Sequence, residues 1–312
     1  MRTVFLGSGG FGVEALWRLD GHEDVDLVGV VTAPPRPAGR KQRLTSTVID
    51  GHASELAVPT ILRPERLRAP DAVAAVLALR PQLLVLADYG QIVPSALLDV
   101  EHGALNLHPS LLPRHRGATP IPATILAGDT ETGVTLIRMD DGLDTGPIVG
   151  QERVALGGTE TAPRLEEELM IVADQLLDRT LGPWLRGELE PRPQPEDGAT
   201  LTRPLRREDG RLDPARSAAE LERAVRAYQP WPGTFLDTPL GRLIVHRAAL
   251  ATGVAGDEPG RIHAHGGGLA IGTPGGRLVL ERLQLAGGRV MDGEDLRRGF
   301  PQLVGADVLA QE

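Results

Sequence analysis

The chain has 312 residues, among them no cysteine, one lysine and few aromatic side chains. The lack of cysteine excludes disulfides, thiolate catalysis and cysteine-ligated zinc or iron–sulfur sites. The eight histidines show no HExxH spacing, so we expect no catalytic metal. There is no apolar run of membrane-spanning length and no cleavable signal pattern at the start. We therefore expect a globular protein of the cytoplasm with no membrane partner.

The charge is unevenly distributed along the chain. The net charge is −9, and residues 204–312 hold as many arginines as acidic residues, so the negative excess lies in residues 1–203. Residues 27–49 nevertheless contain no acidic residue. Four basic residues stand there: Arg36, Arg40, Lys41 and Arg43. Such a segment is either a solvated surface loop or a local anion site on a protein that does not coat nucleic acid.

Short β-branched runs alternate with helical stretches over the first two hundred residues. Strands are predicted at residues 3–6, 26–31, 83–87 and 104–107, and helices near 11–20, 45–56 and 70–79. A hairpin over 133–139 and near 148 follows, and then a long helix over 160–186. This alternation is typical of βαβ units and predicts an α/β, Rossmann-like parallel sheet. Ligands of such sheets bind at the carboxyl ends of the strands.

The remainder of the chain has a different composition. Residues 187–204 are rich in proline, glycine and glutamate, which favours an exposed linker. We predict a catalytic domain over 1–186 and a second domain over 205–312. In the second domain a helix is predicted at 218–227. Strands are predicted at 234–236, 240–247, 260–264, 269–272 and 277–284. Short strands with regular turns predict a smaller β-barrel domain.

Two polar side chains interrupt an apolar strand end at residues 105–108. Asn106 and His108 are two residues apart and so point to one face, while Leu105 and Leu107 point to the other. An amide and an imidazole at a strand end could stabilise an oxyanion and move a proton. An isolated pair of this kind is more often a satisfied structural hydrogen bond.

A glycine-rich turn about forty residues later supplies three carboxylates. Asp140 and Asp141 are expected to cap the turn, and Asp144 is the candidate to meet His108. A nearby carboxylate would orient the imidazole or relay a proton through water.

The run Gly7-Ser8-Gly9-Gly10-Phe11-Gly12 fits the dinucleotide motif G-x-G-x-x-G. The acidic residue expected at the end of the second strand is missing, since that strand ends Val31-Thr32-Ala33. An NADP oxidoreductase, with Arg36 on the 2′-phosphate, stays a minor alternative. The glycines otherwise allow a tight turn and close approach of another group.

Together these segments resemble the folate-dependent formyltransferases. The matching motifs are Asn106-x-His108-Pro-Ser-Leu-Leu-Pro113-x-x-x-Gly117, Gly128-Asp129, Gly133-Val134-Thr135 and Gly142-Leu143-Asp144-Thr145-Gly146. Residues 36–40 and 217–223, with Pro230-Trp231-Pro232, are similar to the members that act on methionyl-tRNA. The resemblance extends from residue 3 to near residue 300.

The resemblance implies a catalytic trio of Asn106, His108 and Asp144. It implies formyl transfer from 10-formyltetrahydrofolate to the amino group of methionine on initiator tRNA, by direct attack of the amine. Folate contacts are implied at eight positions: Leu86, Tyr89, Gly90, Ile92, Ser110, Leu111, Leu112 and Pro113.

The resemblance also implies an OB-like carboxyl domain that helps to hold tRNA. The predicted tRNA contacts are Arg36, Arg40, Lys41, Arg43, Arg206 and Arg207. Arg114 and Arg116 follow the active-site loop and are either further contacts or surface ion pairs. We expect the protein to act as a monomer.

The chain departs from the family pattern at a few positions. Gly10 stands where the family has an acidic residue, and Asp88 stands where it has a small one. Pro147 also replaces an acidic residue, and Arg203-Pro204 replaces a Pro-Lys pair.

Two alternatives for the function remain open. One is a sugar-nucleotide formyltransferase with the same trio, and the other is a non-catalytic nucleic-acid adaptor that uses only the barrel.

Overall fold

The structure is a computed structural model that describes residues 1–39, 42–253 and 257–308, and these form two compact units. The first unit contains described residues of Met1–Pro120, Glu131–Ala155 and Leu165–Arg203. The second contains Ile121–Thr130, Leu156–Arg164 and the described residues from Pro204 onward. Most of the segment 187–204 therefore lies in the first unit. The domain boundaries at 186 and 205 stay a prediction.

The elements before residue 204 alternate between strands and helices. In chain order they are β1 (Arg2–Gly7), α1 (Val13–Gly21), β2 (Asp26–Val31), β3 (Arg36–Ala38), β4 (Arg43–Thr45), α2 (Val48–Glu55), β5 (Ile61–Leu62), α3 (Pro70–Ala78), β6 (Leu83–Ala87), α4 (Ser95–Leu98), β7 (Ala104–His108), β8 (Arg116–Gly117), α5 (Pro120–Ala127), β9 (Glu131–Arg138), β10 (Ile148–Ala155), α6 (Ala162–Leu185) and β11 (Leu201–Thr202). The four strands and the helices predicted for this part of the chain are confirmed.

Seven of these strands form one sheet in the order β10-β9-β7-β6-β1-β2-β5. The five strands from β7 to β5 are mutually parallel, whereas β9 is antiparallel to both of its neighbours, β7 and β10. The short pairs β3 with β4 and β8 with β11 lie outside this sheet. The carboxyl ends of β1, β6 and β7 therefore meet at one edge of the sheet, which is where the candidate residues of β7 lie.

The central strands β1 and β6 are mainly apolar because both faces of the sheet are covered. Val4, Phe5 and Leu6 of β1 are fully buried, and every residue of β6 is buried. Strand β10 is longer than the predicted run near residue 148. It is an edge strand whose residues are mostly only partly buried, so its sequence carries no continuous apolar signal.

The second unit is built around an antiparallel sheet. Its elements after residue 204 are α7 (Ala218–Ala227), β12 (Thr234–Thr238), β13 (Gly241–Ala251), β14 (Ile262–His265), β15 (Gly268–Thr273), β16 (Gly276–Leu285), β17 (Met291–Asp292) and α8 (Gly293–Gly299). The sheet order is β12-β13-β16-β15-β14, and β17 pairs with β16. Its core includes Leu236, Leu243 and Ile271, all fully buried. A Rossmann-like domain followed by a smaller β-rich domain is thus confirmed.

Helix α7 shows how local sequence fixes one of these elements. The Ser217 hydroxyl accepts the Glu220 N–H at 3.3 Å, and the Glu220 carboxylate accepts the Ser217 N–H at 3.0 Å. This reciprocal capping box satisfies backbone donors that the first helical turn leaves free. The predicted range of 218–227 is confirmed.

Within the part of the chain that the structure describes, no helix combines the length and the apolar character needed to cross a membrane.

Candidate active site

Strand β7 presents its polar side chains at the carboxyl edge of the sheet. Leu105 and Leu107 are buried on one face, and Asn106 and His108 project from the other. Asn106 pairs with Ile137 and His108 with Thr135 of the antiparallel neighbour β9. His108 is 4% exposed, whereas Asn106 is partly accessible. The strand thus places one buried imidazole beside one amide that a ligand can reach.

The turn between β9 and β10 carries Asp144 to the same place. Asp140 caps this turn as predicted, since its Oδ1 accepts the Gly142 N–H at 3.0 Å and the Thr145 hydroxyl at 2.8 Å. Asp144 itself has a φ of 52°, a left-handed value that Asp adopts more readily than most residues. Gly146 is required because a Cβ there would lie 1.9 Å from the Arg138 carbonyl oxygen. The tight turn therefore fixes the direction of the Asp144 carboxylate.

The two oxygens of Asp144 have separate partners. Oδ1 accepts from Asn106 Nδ2 at 3.4 Å. Oδ2 accepts the Gly117 N–H at 2.8 Å and lies 3.6 Å from His108 Nδ1. The side chains of His108 and Asp144 are 5% and 14% exposed, so water screens this interaction poorly. The predicted trio is brought together at one point.

The second ring nitrogen of His108 is also held. Nε2 lies 2.9 Å from the carbonyl oxygen of His115, which can only accept a hydrogen bond. Nε2 must therefore carry a proton, and Nδ1 is the nitrogen that faces Asp144. This arrangement suits a base that becomes an imidazolium beside a carboxylate.

The predicted folate loop, residues 110–113, is anchored to the sheet. Ser110 is fully buried, and its hydroxyl donates to the Arg114 carbonyl at 2.7 Å. The Thr135 hydroxyl donates to the Ser110 carbonyl at 2.7 Å and accepts the Leu112 N–H at 3.1 Å. Leu112 is buried, and Leu111 and Pro113 are partly exposed. The folate contacts at these four residues stay a prediction.

The other predicted folate segment starts in β6 and continues into the residues after it. Leu86 is buried, Gly90 is exposed and Ile92 is 76% exposed. The Tyr89 hydroxyl is buried and has no hydrogen-bond partner among the described residues. Burial raises the pKa of Tyr89 to about 12, so the phenol stays protonated. These four contacts also stay a prediction.

Asp88, a departure from the family pattern, faces the glycine-rich turn. A Cβ on Gly9 would lie 1.5 Å from Asp88 Oδ2, and the Asp88 carbonyl accepts the N–H groups of Ser8 and Gly9 at 3.0 and 3.4 Å. Asp88 is exposed as a whole residue, but the atoms packed around its carboxylate desolvate it and raise the pKa of Asp88. Burial, together with repulsion from Asp88, also raises the pKa of Glu166, which accepts the Phe11 N–H.

This packing decides the role of the glycine motif. A dinucleotide site needs free N–H groups at the turn and close approach of a pyrophosphate. Here the Asp88 backbone takes two of those N–H groups, and a carboxylate lies against Gly9. Gly7 is required by the protein itself, since a Cβ there would lie 2.8 Å from the Ala87 carbonyl oxygen. The motif therefore serves internal packing, which removes the support for an NADP site.

The predicted tRNA contacts lie in two separate places in the chain. Arg36 in β3 and Arg43 in β4 are exposed in the first unit, and Arg206 and Arg207 are exposed in the second. Arg40 and Lys41 lie outside the described residues. Arg116 is partly buried, and its guanidinium donates to Gln194 Oε1. The six tRNA contacts stay a prediction.

Sequence reasoning missed the residues that support the trio. Gln194 donates to the carbonyl of Asp144 at 2.7 Å, and the Thr200 hydroxyl accepts the His115 N–H at 2.8 Å. Both belong to the segment predicted as a linker. In the sequence they stand out only as polar residues within a proline-rich segment. That pattern is equally typical of an exposed linker, so it did not reveal their role.

Among the described residues, no group of three or more His, Asp or Glu side chains could hold a metal ion. The chemistry available at this edge of the sheet is acid–base and hydrogen-bonding chemistry. The carboxyl ends of the parallel strands of an α/β sheet thus bring an amide, an imidazole and a carboxylate together, an arrangement suited to acid–base chemistry.

Comparison with known families makes the assignment more specific. The family described as Formyl transferase matches residues 1–181, and Formyl transferase, C-terminal domain, matches residues 204–301. The chain belongs to the formyl transferase family.

Relatives of known name agree with this membership. The methionyl-tRNA formyltransferase of Chloroflexus aurantiacus is 44% identical over 270 residues, which are 86% of this chain and 86% of that protein. The protein of the same name from Myxococcus xanthus is 41% identical over 300 residues, or 96% of this chain and 95% of that protein.

Crystal structures show the same fold. The N-formyltransferase of Helicobacter canadensis, in complex with folinic acid and dTDP-3-aminofucose, is similar with a TM-score of 0.64 and 16% identity. The match covers 89% of this chain and 98% of that one. HypX of Aquifex aeolicus with tetrahydrofolic acid has a TM-score of 0.62 and 18% identity, with 97% of this chain and 47% of that one covered.

Proposed function

We propose that the protein transfers the formyl group of 10-formyltetrahydrofolate to the amino group of methionine on initiator tRNA, for translation initiation. The observation that carries this proposal is the meeting of Asn106, His108 and Asp144 at the carboxyl edge of the sheet, in a chain related over most of its length to proteins named methionyl-tRNA formyltransferase. No resident metal takes part in the proposed reaction.

The proposed reaction needs no covalent enzyme intermediate. The amine nitrogen of methionine attacks the formyl carbon, a new N–C bond forms, and the bond from that carbon to N10 of the folate breaks. The proton lost by the amine ends on N10. Holding both reactants in one cleft supplies much of the rate enhancement, because it replaces a bimolecular encounter by an oriented one.

Asn106 and His108 stabilise the oxygen that becomes negative in the tetrahedral intermediate. One N–H of the Asn106 amide is directed at Asp144 Oδ1, which leaves the second for the oxyanion. One donor of this kind is worth about 3 to 4 kcal/mol in a desolvated site. His108 takes part through Nδ1, since its Nε2–H is donated to the His115 carbonyl.

Asp144 orients His108 and supports proton removal. Its Oδ2 lies 3.6 Å from Nδ1, a distance suited to an ion pair with an imidazolium. The Gly117 N–H donates to the same oxygen and keeps the carboxylate from turning toward solvent. The ionised carboxylate therefore stabilises the charged imidazole when it forms.

Arginine side chains support the tRNA part of the proposal. Arg36, Arg43, Arg206 and Arg207 are exposed, as phosphate-binding groups must be. Because the protein has a net charge of −9, a few basic groups would orient the tRNA without binding all nucleic acids. Action as a monomer, in the cytoplasm, is part of the same proposal.

Transfer of labelled formyl from 10-formyltetrahydrofolate to charged initiator tRNA tests the proposal. Elongator methionyl-tRNA measured in parallel reports how strictly the initiator is required. An amino-sugar nucleotide as acceptor tests the sugar-nucleotide alternative, for which the Helicobacter canadensis likeness supports the fold alone at 16% identity. Transfer to the amino sugar with none to methionyl-tRNA would refute the proposal. The adaptor alternative predicts that function survives the loss of His108.

A further inference from the structure

The segment between the long helix α6 and the second unit is held to the active site by hydrogen bonds. We call residues 192–202 the strap. Arg192 pairs with Ile148 through two backbone hydrogen bonds of 2.7 and 2.8 Å, and Leu201–Thr202 runs parallel to Arg116–Gly117. The strap is thus attached both to the start of β10 and to the loop after β7, although its composition is that of an exposed linker.

Gln194 holds the turn that carries Asp144. Its Nε2 donates to the carbonyl oxygens of Asp144 and Gly146 at 2.7 and 2.8 Å, so both amide protons bind backbone close to the carboxylate. Its Oε1 accepts from Arg116 Nε and Nη2 at 3.1 and 2.7 Å. Such a side chain has little freedom, because donors and acceptor are engaged together.

This restraint acts at a residue with an uncommon backbone conformation. The φ of 52° at Asp144 is uncommon for a residue with a side chain, and such a conformation persists only when its surroundings fix it. Asp140 restrains the turn by accepting a hydrogen bond from the Thr145 hydroxyl. Gln194 restrains it at the backbone of Asp144, whose carboxylate must reach both Gly117 and His108.

The strap also holds His115, whose carbonyl contacts the second ring nitrogen of His108. The Thr200 hydroxyl accepts the His115 N–H at 2.8 Å, and the Thr200 carbonyl accepts the Arg116 N–H at 2.9 Å. The hydroxyl of Thr202 donates to the Arg116 carbonyl at 3.0 Å. These bonds fix the stretch whose His115 carbonyl binds Nε2 of His108.

We infer that the strap positions both groups that orient His108, and that Gln194 and Thr200 are positioning residues for formyl transfer. The inference rests on the proposed function. Neither residue needs to touch a substrate. Displacing a catalytic group by about 1 Å from its productive position costs about 10²-fold in rate. Loss of Gln194 should therefore lower kcat with little effect on KM.

Gln194→Met tests this directly, because methionine has a similar length but cannot make the four hydrogen bonds. We expect kcat for formyl transfer to fall by about 10- to 100-fold and the KM for each substrate to change less than about 3-fold. Gln82→Met is the matched control. Gln82 also bonds through both ends of its amide, but at the start of β6, the opposite end of the strand from the site. Its kcat should stay within about 2-fold of the unchanged protein, as expected away from a site.

Thr200 provides a second, independent pair of variants. Thr200→Val keeps the shape but removes the hydroxyl, and should lower kcat in the same way. Thr200→Ser restores the acceptor for the His115 N–H and should recover most of the rate. Equal rates for the Val and Ser variants would contradict a positioning role.

A measurement that does not depend on catalysis, hydrogen exchange at the Gly117 amide, distinguishes this inference from the proposed function. The Gly117 amide donates to Asp144 Oδ2, so its hydrogen exchange reports where that carboxylate lies. Exchange at Gly117 should become faster in Gln194→Met and stay unchanged in Gln82→Met. If the unchanged protein transfers no formyl group, the proposed function fails while this measurement still tests the strap. If Gly117 exchange and kcat are both unaffected in a folded Gln194→Met protein, the inference is overturned.

Discussion

Gly117 and Asp144 are joined by a 2.8 Å hydrogen bond from a backbone N–H to Oδ2, the oxygen that also lies 3.6 Å from His108 Nδ1. This bond links the loop after β7 to the turn after β9. Gly117 has a φ of 103°, and a Cβ there would lie 2.4 Å from the Thr202 carbonyl oxygen. A glycine is therefore required for the loop to come close enough to both the carboxylate and the strap.

Asp144→Asn should lower kcat by about 10² to 10⁴-fold, the range for losing an acid–base partner. The amide keeps an acceptor for the Gly117 N–H but removes the charge that stabilises an imidazolium at His108. Steady-state formyl transfer measures the effect. Asp140→Asn, in the same turn but with only capping bonds, should lose less than about 10-fold. Equal losses in the two variants would show that turn stability, and not charge, sets the rate.

His108→Ala should abolish most turnover while the fold is retained. We expect a loss of at least about 10²-fold in kcat, because the variant can neither transfer the proton nor donate to the oxyanion. Circular dichroism checks the fold, and equilibrium binding of a folate analogue checks the cleft. Retention of full activity would support the adaptor alternative.

Replacing Arg40 and Lys41 by alanine should raise the KM for tRNA, weaken its salt dependence and leave the KM for folate unchanged. Removing one basic group that neutralises a phosphate reduces the slope of log affinity against log salt by about one. The same outcome is expected for Arg36→Ala with Arg43→Ala, since both side chains are exposed. Arg68→Ala, an exposed arginine of another loop, is the control. An unchanged KM for tRNA would refute the assignment of the basic segment.

Asp50 should make the stability of the first unit depend on pH. Asp50 is 4% exposed and accepts from Arg63 Nη2 at 2.5 Å, a hydrogen bond that lowers its pKa below the ordinary 3.8. A lowered folded-state pKa stabilises the protein at pH values above the ordinary pKa, and the stabilisation is lost as pH falls through the folded pKa. Asp50→Asn should therefore cost about 1 to 3 kcal/mol at pH 7, with the figure reduced because Arg63 is 38% exposed.

Denaturant unfolding at a series of pH values checks this expectation. The difference between Asp50→Asn and the unchanged protein should shrink as pH drops below about 4. Asp26→Asn serves as control, because its pair with Arg2 is long, at 3.5 Å, and its side chain is 62% exposed. That variant should cost less than about 0.5 kcal/mol. A cost at Asp50 that is independent of pH would contradict the ion-pair explanation.

The sequence predicted the strands that are buried on both faces and the helices with clear ends. The apolar run of β6 and the capping box at Ser217 depend only on residues close together in the chain, so the sequence is enough to predict them. Strand β10 was underestimated because an edge strand carries mixed polar and apolar residues. The strap could not be found in this way, since its bonds join residues up to 86 positions apart.

The glycine motif is a feature whose sequence suggested a function that its packing does not support. By itself, the run from Gly7 to Gly12 fits a dinucleotide site, and only the missing acid argues against one. The structure shows the physical reason for the glycines, because Asp88 and Ala87 lie where side chains would otherwise be.

The sequence by itself determined that Asn106 and His108 share a face, because alternation along a strand is a local property. It also determined the absence of cysteine chemistry and the uneven charge. Only the tertiary structure decided that Asp144 reaches His108, that the His115 carbonyl places the proton on Nε2, and that Gln194 holds the turn. Each of these is a contact between segments distant in the chain or across a loop, and its geometry depends on the sheet edge on which the segments meet.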